Sequence, residues 1–309
     1  MITIRARAEE YLAMRRKLGF KLVTFARYLM LFVAYLEQTG ATVVTTQAAL
    51  AWAIEATSST DRAYLARRLM IVRIFARHLQ TLEPATEVPP EDLLPHHSDR
   101  ITPHLFTPDE LDALLAAASR LRPAFRALTY RTLFALLAVT GLRVGEACHL
   151  DRVDVDLNSG VLTVRDSKFG KSRQVPVHDS TTAALADYRH QRDQRPNAQT
   201  NPAFLVSIMG TRLRPKTMSV PFAKLVDAVG IIVPPGQHRP RQHDLRHTFA
   251  TATLLDWYRQ GVDVQARLPL LATYLGHADP KSTYWYLSGS PELLALAAER
   301  LEGTFGGQP

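Results

Sequence analysis

The sequence is poor in the residues that build covalent or metal frameworks. It holds one cysteine, Cys148, in 309 residues, which rules out an intramolecular disulfide and a cysteine-based metal site. Long apolar runs are missing as well. The longest candidate, TLFALLAVTGL at 132–142, falls short of the roughly 18 uncharged residues of a membrane span and reads as a buried helix ending in a turn. The first residues, MITIRARAEEYLAMRR, carry charge throughout and lack the apolar centre of a secretory signal. No cluster of carboxylates is spaced to hold Mg²⁺. Together these absences lead to the expectation of a cytoplasmic chain with no membrane partner.

What the chain has is positive charge and ample core. Its net charge is +8 with a pI near 9.7, and 46% of its residues are hydrophobic. The charge is unevenly placed. Residues 1–83 hold 12 Lys/Arg against 6 Asp/Glu, whereas 84–107 hold one arginine against four acids. Residues 108–309 are again basic, at +5. Two basic blocks either side of an acidic connector suit two lobes facing a polyanion such as nucleic acid. The connector, PATEVPPEDLLPHHSDRITPHLFT, contains five prolines and no sustained periodicity, the pattern of a linker. His96 and His97 within it have no partner at ligand spacing.

The periodicity places helices before the linker at RAEEYLAMRRKLGF, VTFARYLMLFVAYLEQTG (closed by Gly40), TTQAALAWAIEA and STDRAYLARRLMIVRIFARHLQ. In the last of these, Leu65, Leu69, Val72, Ala76 and Leu79 form an apolar stripe. Arg62, Arg67, Arg73 and Arg77 fall largely off it, either as a solvated face or as a face laid against phosphates. After the linker, Thr107 and Pro108 open a capped helix, and a long apolar helix runs to Gly141. GVLTVRDSKFGKSRQVPVH reads as a hairpin with strands near 161–166 and 173–177, and Lys171 and Arg173 on it join the candidate DNA contacts. Helices return near 179–194, at 215–229 and from His243 onward. The fold class is therefore mainly α with a small antiparallel sheet (α+β), in three segments: 1–83, the linker 84–107, and 108–309.

Two motifs mislead. FGKS at 169–172 lacks the earlier glycine of a phosphate-binding loop, since position 165 is arginine. HDLRH at 243–247 imitates a zinc site, but aspartate replaces the glutamate base and Arg246 places a cation beside the proposed dication. A different set is coherent: Arg143 at a glycine turn, Lys168 on the hairpin, His243 and Arg246 one helical turn apart, His277, and Tyr286 nine residues beyond it in LGHADPKSTYWYLSG. Two guanidiniums can hold the non-bridging oxygens of a phosphodiester attacked by a tyrosine. A lysine can protonate the departing 5′-oxygen, and histidines can move protons. The ester formed conserves bond energy, so no ATP, metal or other cofactor is required.

This set resembles the tyrosine recombinase, or phage-integrase, family. The matching pieces stand in the family's order: TGLRVGE at 140–146, SKFGKSRQVPV at 167–177, HDLRHTFAT at 243–251, YLGH at 274–277, and Tyr286. The resemblance implies that Arg143 and Arg246 clamp phosphate, that Lys168 is the hairpin lysine with Lys171 as competitor, that His243 and His277 are the two histidine positions, and that Tyr286 is the nucleophile. Glu146 and Asp244 are then expected to orient the arginines, and His247, Trp285 and Tyr284 to be packing residues. It further implies a site-specific recombinase of a mobile element or a resolvase, acting as a synaptic tetramer, with residues 1–83 as a core-binding domain. Rival readings are a type IB topoisomerase-like relaxing enzyme, a catalytically silent DNA-binding regulator and a zinc hydrolase. Arg246 and His277 stand 31 residues apart, longer than the family's usual spacing. After Tyr286, SPELLALAAERLEG is expected to form a tail helix offering Leu293, Leu296 and Leu301 to its own domain or to a neighbouring protomer.

Overall fold

In the computed structural model, residues 2–94, 102–166, 171–233, 238–277, 279, 281–288 and 292–296 are described. The chain divides into two compact units, Met1–Arg100 and Ile101–Pro309.

The first unit is helical: α1 (Ile4–Lys17), α2 (Val23–Thr39), α3 (Thr46–Ile54) and α4 (Arg62–Gln80). Short polar side chains start three of them. Thr3, Thr45 and Asp61 accept from the backbone N–H of Ala6, Ala48 and Ala63, satisfying donors the helix itself leaves open. Leu29, Phe32, Val33, Trp52, Leu69, Val72, Phe75, Ala76 and Leu79 form the core, so the apolar stripe read on α4 is the packed face. Arg68, on that same helix, is buried: its guanidinium lies 4.0 Å over the Trp52 ring and bonds the carbonyls of Trp52 and Ala56. The beginning of the proline-rich stretch folds back onto this unit. Glu87 N–H donates to the Val44 carbonyl, the Glu87 carboxylate caps Thr46, and Thr86 is buried. His96 and His97 lie outside the described residues.

The second unit contains α5 (Pro108–Ser119), α6 (Ala124–Thr140), α7 (Val144–His149), β1 (Val155–Asp156), β2 (Val161–Val164), β3 (Arg173–Pro176), α8 (Asp179–Asp193), α9 (Pro196–Gln199), α10 (Ser219–Val229), α11 (Gln242–Arg259), α12 (Val264–Leu275) and α13 (Lys281–Ser288). Thr107 and Glu110 close a reciprocal capping box on α5. The sheet is antiparallel in the order β1-β2-β3, with Val155 opposite Leu162 and Leu162 opposite Val175. Leu133, Phe134, Leu137, Tyr188, Phe204 and Phe222 anchor its main core. A second cluster, Ala250, Leu254, Leu268, Leu271, Leu275, Tyr286 and Leu293, joins α11, α12, α13 and the helical residues 292–296. The long spacing from Arg246 to His277 is thus filled by the end of α11 and by α12, with Trp257 and Tyr258 packed on this cluster. Leu293 is buried on its own chain, tied nearby by an Arg259–Glu292 ion pair at 2.5 Å; Leu301 lies outside the described residues. Among the described residues no helix is long and apolar enough to cross a membrane.

Candidate active site

The site is organised by the C-terminal end of α12. A helix end leaves its last carbonyls without intrahelical partners, and the macrodipole makes them negative. Here three consecutive carbonyls each receive a different arginine. Arg173 Nε donates to Tyr274 O at 2.7 Å, Arg246 Nη2 to Leu275 O at 2.7 Å, and Arg143 Nη2 to Gly276 O at 3.3 Å. Arg246 reaches across from α11 and also donates Nη1 to Gly141 O at 2.7 Å, at the end of α6. Its side chain is 1% exposed.

Two glycines make this convergence possible. Gly141 and Gly276 both adopt positive φ, 61° and 69°, where a side chain is strained. A Cβ on Gly141 would stand 2.6 Å from the Phe249 ring, and one on Gly276 would stand 2.6 Å from the Arg173 guanidinium. Both turns therefore lie flat against the groups they position.

Glu146, on the first turn of α7, joins two of the arginines. Its Oε1 accepts from Arg143 Nη1 at 2.7 Å and from Arg173 Nη1 at 3.1 Å. Its Oε2 accepts from the Arg143 backbone N–H at 3.0 Å and from Arg173 Nη2 at 2.9 Å. Burial acts to raise the Glu146 carboxyl, but the hydrogen bonds and charges of Arg173 and Arg143 outweigh it and hold it at about 2. Asp244 does not serve an arginine of the clamp, contrary to expectation. It accepts from the Arg241 backbone N–H at 2.8 Å, capping its own helix, and burial pushes its carboxyl up.

Tyr286 projects from α13 into this setting, with 3% exposure. Thr283 and Tyr286 share the buried face of the helix, whereas Tyr284 is 53% exposed. Tyr284 is thus not the packing residue that the aromatic triplet suggests. Burial raises the Tyr286 phenol, while the positive charges of Arg246 and Arg143 pull it back. Arg246 in turn is lowered to about 10 by burial and by Arg143, and is still a cation at neutral pH. The His277 ring stacks on Tyr286 at 6.0 Å between centroids, and its Nδ1 is fixed by Thr283 Oγ1 at 2.7 Å. Trp285 and Tyr286 both pack against His247, whose ring meets His243 edge-on at 4.9 Å.

Burial first, then the arginines around them, hold His243 and His277 at about 4. His247 is held at about 3 by burial and by His243 and Arg246. His243 is lowered although the residue as a whole is exposed, because its ring packs against His247 and faces Arg246 and Arg143. All three are neutral near pH 7, so they can accept or relay a proton without adding charge.

Buried guanidiniums aimed at one spot beside a buried phenol form a site for an oxyanion next to a hydroxyl nucleophile. Residues 104–292 match the phage integrase family. The chain is 44% identical to y4rB of Sinorhizobium fredii, over 98% of each chain. The chain belongs to the phage integrase family. Caulobacter vibrioides tyrosine recombinase XerD is 30% identical over 74% of this chain and 72% of its own. The Tn1549 transposon integrase, solved in complex with transposon right end DNA, shares the fold at 16% identity, with a TM-score of 0.65 over 96% of this chain and 98% of that one.

Of the residues expected in this family site, Arg143, His243, Arg246, His277 and Tyr286 are brought together, and Lys168 lies outside the described residues. Lys171 is exposed near the start of β3. Arg173 is a correction. Expected at the DNA surface, it is 9% exposed and directed inward onto Glu146 and α12. The sequence held the signal: Arg173 and Val175 share one face of β3, and Val175 is buried. Arg73 is a second correction, since its guanidinium bonds the carbonyls of Pro89 and Pro90 rather than facing outward. Arg77 pairs with Glu91 at 2.5 Å, while Arg62 and Arg67 are exposed on α4. Glu146 holds Arg143 as expected, but its bond to Arg173, the carbonyls of residues 274–276 and Thr283 as the His277 anchor were not readable from motif spacing.

Proposed function

We propose that this chain cleaves and rejoins double-stranded DNA at specific core sites, with Tyr286 as the nucleophile. As a member of the phage integrase family it is a DNA breaking-rejoining enzyme. The observation that carries the residue assignment is the buried Tyr286 phenol, stacked on His277 and acted on by the charges of Arg246 and of Arg143, which Glu146 and the Gly276 carbonyl hold. The phenol oxygen attacks phosphorus and forms a 3′-phosphotyrosyl ester as the bond to the 5′-oxygen breaks. Arg143 and Arg246 stabilise the charge that develops on the non-bridging oxygens. Because burial disfavours the free phenolate, the phenol must give up its proton during attack, and a neutral histidine of the site can receive it. Lys168 is assigned the proton for the departing 5′-hydroxyl. The reverse reaction, with a different 5′-hydroxyl, joins strands without ATP.

In this reading the Met1–Arg100 unit contributes core-site binding through the exposed Arg62 and Arg67, and protomers pair into a tetramer for strand exchange. The cytoplasm, at the nucleoid, is its place of action, and a mobile element its natural setting. The test uses a pool of nicked duplexes with a randomised central stretch, incubated with the full chain in EDTA. Denaturant-stable adducts are expected to form and to enrich one sequence class, while Tyr286→Phe forms none. Adducts that require added divalent metal would contradict the mechanism, and relaxation of plasmids without site preference would assign the chain to topoisomerase-type activity.

A further inference from the structure

The Arg143–Glu146 pair poses a problem for the proposed chemistry. A guanidinium bonded to a carboxylate at 2.7 Å has its charge largely cancelled, which makes a poor clamp for a phosphodiester. The structure supplies a second cation on the far side of that carboxylate. Arg173 meets Glu146 fork to fork, at 3.1 and 2.9 Å, so each carboxylate oxygen accepts one bond from each arginine residue. The three-residue cluster Arg143–Glu146–Arg173 then carries a net charge of +1, and the exposed member is Arg143, at 27% against 9% for Arg173. Arg173 is also held rigidly. Its Nε is fixed on Tyr274 O at 2.7 Å and its guanidinium lies against Gly276, leaving no room for a side chain there.

We propose that Arg173 is a positioning residue for strand cleavage, acting through Glu146 to keep Arg143 charged and correctly aimed without touching DNA. This deepens the functional reading above and rests on it. A planar fork is required, because a lysine at this position carries its three rotatable donors on one nitrogen and cannot reach both carboxylate oxygens and Tyr274 O in a fixed geometry. The mechanism differs from a DNA-contact role, in which Arg173 would govern affinity. It also differs from a purely structural role, in which the loss would not depend on phosphate charge.

The test compares wild type, Arg173→Lys and Arg173→Met on the nicked duplex recovered from the randomised pool. It measures DNA affinity and single-turnover adduct formation separately. Affinity is expected to stay within about two-fold, while cleavage slows about 10-fold in Arg173→Lys and on the order of 100-fold in Arg173→Met, the scale of a misaimed clamp. The decisive readout uses the same duplex with one non-bridging oxygen of the scissile phosphate replaced by methyl. With no anionic charge left to hold, the defect of either variant is expected to shrink to about three-fold or less.

Wild-type cleavage by Arg173→Lys would overturn the proposal, and this variant decides the matter if Arg173→Met does not fold. A cleavage defect that persists on the neutral phosphate would also overturn it, as would one matched by an equal loss of affinity. If wild type itself forms no adduct, the functional reading fails instead.

Discussion

At the residue scale, the aromatic triplet 284–286 shows how far spacing alone could reach. The nine-residue interval from His277 singled out Tyr286, but left Tyr284 and Trp285 together as packing. The helix separates them. Position 286 shares the buried face with Thr283, and Tyr284 points to solvent. The histidines carry a consequence for pH. His243, His247 and His277 sit at about 4, 3 and 4 in the folded chain, below the ordinary value of 6.5. The unfolded chain therefore binds more protons between about pH 4 and 6.5, and stability rises with pH across that window. Thermal melts of the full chain are expected to be flat with respect to these groups above pH 7 and to fall steadily from pH 6.5 toward 4. His247→Gln should flatten that fall; an unchanged slope would show that the buried ring does not resist protonation.

Element-scale features were largely legible, and those that were not share one cause. The ends of α2 and α6 at Gly40 and Gly141, the capping box of α5 and the hairpin strands all follow from local chemistry written in adjacent residues. The grip of three arginines on residues 274–276 does not, because the acceptors are backbone carbonyls with no side-chain signature. Arg73 and Arg173 misled for the same reason: a basic residue reads as surface until an internal acceptor is found. Gly141 tests the arrangement. Gly141→Ala must hold alanine at φ 61° and push a methyl group into Phe249 and Leu275. The expected loss is at least about 2 kcal/mol in urea unfolding of the full chain, from combined backbone strain and overpacking. A neutral effect would mean that the turn relaxes freely and does not fix the carbonyl that Arg246 uses.

For the whole molecule, the uneven charge and the proline-rich stretch set the expectation of two lobes joined by a linker; the chain divides into Met1–Arg100 and Ile101–Pro309. The linker was too broadly drawn at its start, because acidic and proline composition does not reveal that Glu87 caps α3 or that Pro89 and Pro90 accept bonds from Arg73. Composition also could not separate basic residues facing solvent from those turned inward. In the proposed core-binding role, Arg62→Ala with Arg67→Ala should weaken DNA binding similarly across sequences and reduce the slope of log affinity against log salt by about 2. Arg73→Ala should leave that slope unchanged and lower thermal stability instead. A reduced slope in Arg73→Ala would return that residue to the DNA surface.

The central claim is that one hydroxyl among three adjacent aromatic residues performs the chemistry. Its most direct test is peptide mapping by mass spectrometry of the denaturant-stable adduct formed by the full chain in EDTA. The nucleotide remnant is expected on Tyr286 alone, as a phosphotyrosyl ester. A remnant on Tyr284 or on any other residue would contradict the account.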